Sequence, residues 1–230
     1  MKTRRLHPWN VPYEEAVAVQ KRLCRQILEK ALPESIHTIA GADASYRLQG
    51  RTVHGAVLVF TFPDLVLTDR AFASLTTAFP YVPGLLSFRE APALEKAFSK
   101  LRTRPDVTIF DGQGIAHPRG IGLASHMGLI LDLPSIGCAK TRLVGAYPPP
   151  GQEKGSTAPL RYQGRLVGAV VRTRAAANPV FVSPGHAITL AEAIGLILDC
   201  SRGYRVPEPV RQAHLAVNRY RREEEARLNR

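Results

Sequence analysis

Apolar residues recur at helical spacing between Pro12 and Leu32. Val17, Cys24, Leu28 and Ala31 form one stripe with Leu23 and Ile27 beside it, and Pro12 with Glu14 and Glu15 suits a first turn. The period then shortens. Ile36 to Tyr46 reads as extended chain, Gln49-Gly50-Arg51 as a turn and Val53 to Phe62 as a strongly apolar strand. Pro63-Asp64 makes a second turn before a third strand, Leu65 to Leu75. Connections this short imply an antiparallel meander.

After Thr77 helical and extended patterns alternate. Pro92 to Leu101 is expected to be a helix with Leu94, Ala97, Phe98 and Leu101 on one face. Asp106 to Phe110 reads as a short buried strand ending at Asp111 and a glycine-rich loop, Ile121 to Leu131 as a helix and Ser135 to Cys138 as another buried strand. Gly164 to Arg172 and Pro179 to Ser183 add two strands. Thr189 with Glu192 is a capping box opening a helix through Leu198, and a charged helix follows from about Glu208 to Arg227. A meander followed by alternation predicts an α/β fold, a mixed sheet with helices on its faces. No repeat or linker divides the chain, so one domain over residues 1–230 is expected, with Tyr147 to Pro159, rich in Pro and Gly, as a surface excursion.

Charge narrows the partner. Among 230 residues, 31 Lys and Arg oppose 19 Asp and Glu, a net charge of +12, and 24 of the cations are Arg. Arg's planar fork suits bidentate phosphate contact, so a nucleic acid is the favoured polyanion. A hydrophobic share of 45% excludes wholesale disorder. The longest apolar runs, around Ala56 to Phe62 and Ile194 to Leu198, fall well short of the roughly 20 residues a membrane span needs. The polar N-terminus reads as carrying no secretion signal, so a non-secreted protein is expected. Cys24, Cys138 and Cys200 are odd in number and far apart, which fits a reducing cytoplasm better than a disulfide framework or a zinc knuckle.

Against this basic background the few acids stand out. Asp43 lies among small residues in the first expected strand, and Asp111 ends the strand after the meander. Taken singly, each reads as a turn or cap residue. As a pair on neighbouring strands they would repel unless a cation lay between them, and Mg²⁺ suits a few hard carboxylate oxygens. Glu90 ends the stiff segment Pro80-Tyr81-Val82-Pro83-Gly84 to Phe88-Arg89-Glu90. That segment reads either as a hydrophobic cover over the core or as a wedge able to enter a base stack. The loop from Asp111 to Gly120 is neither a dinucleotide fingerprint nor a P-loop. Lys140 follows the next buried strand, and His214 and Asn218 share a face of the last helix.

Together, Gly41-Ala42-Asp43, the segment Pro80 to Gly84 with Phe88-Arg89-Glu90, Asp111-Gly112-Gln113-Gly114-Ile115-Ala116-His117-Pro118-Arg119 and Ala139-Lys140 closely resemble the endonuclease V (deoxyinosine 3′ endonuclease) family, from about Trp9 through the His214 helix. The resemblance implies a ribonuclease-H-like fold and hydrolysis of the second phosphodiester bond 3′ to a deaminated adenine, with Mg²⁺ as cofactor and Mn²⁺ as its substitute. It implies that Asp43, Glu90 and Asp111 hold the metal, that Lys140 contacts the phosphate, and that His214 assists near the metal or the attacking water. Tyr81, with Pro80, Val82 and Pro83, would be the wedge. Gly84, Leu86 and Gly112 would form part of the hypoxanthine pocket, and His117 would contact the strand. The expected partner is deoxyinosine-containing DNA, with inosine RNA as an alternative substrate, and no obligate protein partner beyond a monomer is implied. A non-catalytic nucleic-acid-binding role is the remaining class, and the presence of all three carboxylates and the lysine disfavours it.

Overall fold

The structure, a computed structural model, describes residues 1–47 and 50–228, so Gln49 of the expected turn lies outside the described residues. Strands β1 (Thr38–Tyr46), β2 (Thr52–Thr61) and β3 (Leu67–Thr76) form the antiparallel meander. Two short buried strands, β4 (Val107–Phe110) and β5 (Ser135–Ala139), continue the sheet in parallel beside β1. Antiparallel strands β6 (Thr157–Tyr162), β7 (Arg165–Val171) and β8 (Val180–His186) complete an eight-stranded sheet of order β3-β2-β1-β4-β5-β8-β7-β6.

Helices cover both faces, as expected. Helices α2 (Leu86–Ser99) and α3 (Leu123–Leu131) pack on Ala40, Ala42, Val57, Val59 and Phe110. On the opposite face α4 (Leu190–Asp199) and α5 (Glu208–Leu228) pack on Ile39, Leu58, Ile109, Ile136 and Val182. The expected capping box is present at Thr189 and Glu192. Helix α1 (Tyr13–Leu23) lies outside this sandwich, with Val19 and Leu23 against Leu85, Phe88 and Ile121. No helix of the described residues is long and apolar enough to cross a membrane.

Three elements differ from the sequence expectation. The first helix ends in a 3₁₀ turn at Gln26 rather than at Leu32, and Leu28 is 56% exposed. Tertiary partners claim the backbone beyond that turn: Ala187 N–H donates to the Leu28 carbonyl at 2.8 Å, and Leu32 N–H donates to Glu192 Oε1 at 2.8 Å. Helix α2 starts six residues before Pro92. Proline removes one helical hydrogen bond there, and the burial of Phe88, Ala91, Leu94 and Phe98 holds the turns around it. The excursion Tyr147 to Pro159 runs into the edge strand β6, whose Ala158 and Leu160 alternate inward. Pro159 is tolerated at an edge. Gln163 (φ 49°) and Gly164 (φ 76°) join β6 to β7 in a two-residue turn with both residues left-handed, the type that matches strand twist.

Helix α5 packs directly against β1 at Gly41. A Cβ there would lie 2.0 Å from the Pro209 carbonyl oxygen and 2.7 Å from Val210 N, both rigid backbone. We predict that Gly41→Ala forces α5 outward and costs at least about 2 kcal/mol. A drop of about 4–8 °C in the thermal midpoint is expected by calorimetry, and an unchanged midpoint would refute the close packing.

Candidate active site

Strands β1 and β4 are parallel neighbours, with Ala42 opposite Phe110, and Asp111 N–H donates to the Ala42 carbonyl at 3.1 Å. This register brings Asp43 and Asp111 together at the carboxyl ends of adjacent strands, where open α/β sheets form ligand crevices. Residues of β1 alternate between faces: Gly41 meets α5 and Ala40 and Ala42 meet α2, so Asp43 points toward α5. There His214 Nδ1 is 2.7 Å from Asp43 Oδ2. One ligand atom from each of Asp43, Asp111 and His214 lies within 4.8 Å of the others, a hard, oxygen-rich set that fits a divalent cation. Lys140, one residue past β5, forms an ion pair with Asp111 Oδ2.

Burial raises the Asp43 carboxyl above its usual range, a shift opposed by the His214 hydrogen bond and reinforced by the Asp111 charge. The hydrogen bond to Asp43 in turn raises His214. Glu90 sits apart from the three, approaching from α2 on the other face. It is buried, and burial together with the Asp43 charge pushes its carboxyl up to about 8, against a hydrogen bond from the Tyr46 phenol. The Arg89 guanidinium lies 4.7 Å from the Tyr46 ring centroid and donates to the Phe79 carbonyl at 2.8 Å, tying Tyr46 to the segment before Tyr81. In both raised carboxyls burial is the main cause, and the negative charge of neighbouring carboxylates adds to it.

A second set of contacts fixes His214. Asn218 Nδ2 donates to the His214 carbonyl at 2.9 Å, Ser45 Oγ donates to Asn218 Oδ1 at 2.8 Å, and Arg221 Nε donates to Ser45 Oγ at 3.0 Å. Beside Asp111 and Lys140 opens a cavity of about 440 Å³ whose walls include Tyr81, Val82, Pro83, Gly84, Leu86, Gly112 and His117. Tyr81 stands half-exposed at this cavity, whereas Pro80 is exposed and outside its lining.

The sequence reading did not single out Tyr46, Ser45 or Gln20. Strand alternation carries a usable signal for Ser45, two residues from Asp43 and therefore on the same face. Tyr46 and Gln20 have no such signal, because their partners come from α2 and from the loop after β4.

An Endonuclease V family model matches residues 20–215. Endonuclease V of Gloeobacter violaceus is 47% identical over 220 residues, covering 94% of this chain and 89% of the relative. Among solved structures, Streptomyces avermitilis endonuclease V superposes with a TM-score of 0.89 at 38% identity, covering 94% of this chain and 96% of that one. Bacillus subtilis endonuclease V superposes with a TM-score of 0.92 at 30% identity, covering 99% of this chain and 100% of that one. Matched across nearly its whole length in both sequence and fold, the chain belongs to the endonuclease V family.

Proposed function

We propose that this DNA repair endonuclease recognises deoxyinosine and hydrolyses the second phosphodiester bond 3′ to it, with Mg²⁺ as the cofactor and Mn²⁺ able to replace it. The observation that carries this reading is the convergence of Asp43, Asp111 and His214 beside a cavity that also borders Lys140. All of it belongs to one domain spanning residues 1–230.

Asp43 and Asp111 hold the cation, with Glu90 completing the acidic set from the opposite face. When bound, Mg²⁺ lowers the pKa of a coordinated water and offsets phosphate charge. Lys140 neutralises charge growing on the phosphate as the bond to O3′ breaks. His214 holds the Asp43 oxygen and stands ready to take a proton from the attacking water. Water oxygen joins phosphorus, the P–O3′ bond breaks, and the departing oxygen gains a proton, giving 3′-hydroxyl and 5′-phosphate ends.

Extruding a base costs least where pairing is already weak, which favours hypoxanthine over adenine. Tyr81, flanked by Pro80, Val82 and Pro83, is stiff enough to fill the vacated stack. Gly84, Leu86 and Gly112 line a cavity large enough for the base, and backbone groups there suit O6 and N1–H, whereas adenine presents the opposite polarity at both positions. The surplus of Arg adds salt-sensitive attachment to the backbone.

Two outcomes are expected. On a duplex carrying a single inosine, Asp43→Ala and Asp111→Ala each reduce Mg²⁺-dependent nicking at least about 100-fold while circular dichroism stays native, and chelation abolishes nicking by the unaltered chain. Near-normal nicking by either variant removes the metal assignment. Tyr81→Ala weakens binding to the inosine duplex about tenfold and leaves undamaged duplex binding unchanged, the size expected from one lost base–aromatic stack. An equal loss on both duplexes counts against the wedge.

A further inference from the structure

Gln20 is an anomaly in α1. It sits in the buried stripe with Ala16, Val19 and Leu23 and is only 1% exposed, a position where a polar amide costs stability unless its groups are paired. Two of its partners, the Gly84 carbonyl and Arg119, meet beside the cavity wall. Gln20 Nε2 donates to the Gly84 carbonyl at 3.0 Å, and Gln20 Oε1 accepts from Arg119 Nε at 2.5 Å. Arg119 Nη2 donates to the same Gly84 carbonyl at 2.5 Å, and His117 Nε2 is 2.9 Å from it.

Three donors therefore converge on one carbonyl oxygen, one of them a guanidinium. The His117 tautomer follows from its second contact. Arg119 N–H donates to His117 Nδ1 at 3.1 Å, so Nδ1 is the acceptor and Nε2 carries the proton given to Gly84. Burial, reinforced by the Arg119 charge, pushes the imidazole pKa down to about 4, so the ring is neutral near pH 7 and keeps this tautomer. Both ring nitrogens are thus engaged within the protein.

The clamped carbonyl occupies a decisive position. Gly84 (φ 76°) is the turn residue that ends the Tyr81 segment, and α2 begins two residues later and carries Glu90. The three donors come from α1 and from the loop that follows Asp111. We infer that Gln20, His117 and Arg119 are positioning residues that clamp the Gly84 carbonyl, holding the Tyr81 segment and the mouth of the base cavity in the shape that accepts an extruded base. The inference rests on the proposed recognition of hypoxanthine in that cavity. It gives His117 a structural task in place of a direct strand contact.

Two variants break the clamp without removing packing or net charge. Arg119→Lys keeps the positive charge and loses the planar fork that reaches two acceptors at once. Gln20→Met keeps the side-chain volume in an apolar stripe and loses the donor. In the chain without nucleic acid, amide hydrogen exchange across residues 81–86 is expected to quicken in both variants. On the single-inosine duplex with Mg²⁺, both are expected to raise KM about tenfold with kcat within about twofold, the size of one lost charge-assisted hydrogen bond. Affinity for an undamaged duplex stays at the level of the unaltered chain.

Unchanged exchange at residues 81–86 overturns the clamp. A fall in kcat at constant KM, or an equal loss of affinity for undamaged duplex, overturns the positioning role. If the unaltered chain leaves the inosine duplex uncut, the proposed function fails, and the exchange result still decides for or against the clamp.

Discussion

Parallel pairing of β1 with β4 sets Asp43 and Asp111 side by side at one end of the sheet, with the Asp111 N–H bonded to the carbonyl of the residue before Asp43. Backbone hydrogen bonds, rather than side-chain attraction, bring the two like charges together. Burial, with the neighbouring carboxylate charge added to it, raises the carboxyls of Asp43 and Glu90, and His214 and Arg89 offset part of the shift. Lys140 answers Asp111 from the next parallel strand, and His214 answers Asp43 from α5. A divalent cation is the natural complement to what remains.

Helix α5 reaches Asp43 only because β1 carries a glycine where the helix begins. Close contact at Pro209 and Val210 fixes the start of the helix, and His214 follows one turn later. The links from Asn218 to Ser45 and Arg221 then orient the far side of that turn. The imidazole is thus held by packing at one end of the turn and by hydrogen bonds at the other. Support of this kind would keep His214 within the narrow tolerance that its proposed role demands.

The opposite face is assembled differently. Tyr81, Gly84 and Glu90 belong to one stretch that leaves a turn and enters α2. In the proposed function, recognition and chemistry share this short piece of backbone, so whatever holds Gly84 also bears on where Glu90 is placed. A buried glutamine on α1 and the loop after β4 converge on that carbonyl, joining the outer helix to the cavity wall.

Much of this was legible in the sequence. Apolar spacing fixed the meander, the buried strands β4 and β5 and the capped helix α4, because periodicity reflects which side of an element is buried. Scarce acids in a basic chain marked the pair Asp43 and Asp111, whereas roles for Glu90 and the Tyr81 segment came only through the family resemblance. Local pattern failed where a distant segment decided the outcome. The first helix stops at Gln26 because Ala187 and Glu192 take the backbone beyond it, and α2 runs through Pro92 because its flanking turns are buried. Edge strand β6 hid in a proline-rich stretch because an edge tolerates proline. The sequence by itself determined the chemical inventory and the order of elements other than β6. Only the tertiary structure decided that His214 joins Asp43 and Asp111 while Glu90 enters from the other face, and that Gln20 meets Gly84. These are contacts between residues far apart in the chain, which no local periodicity records.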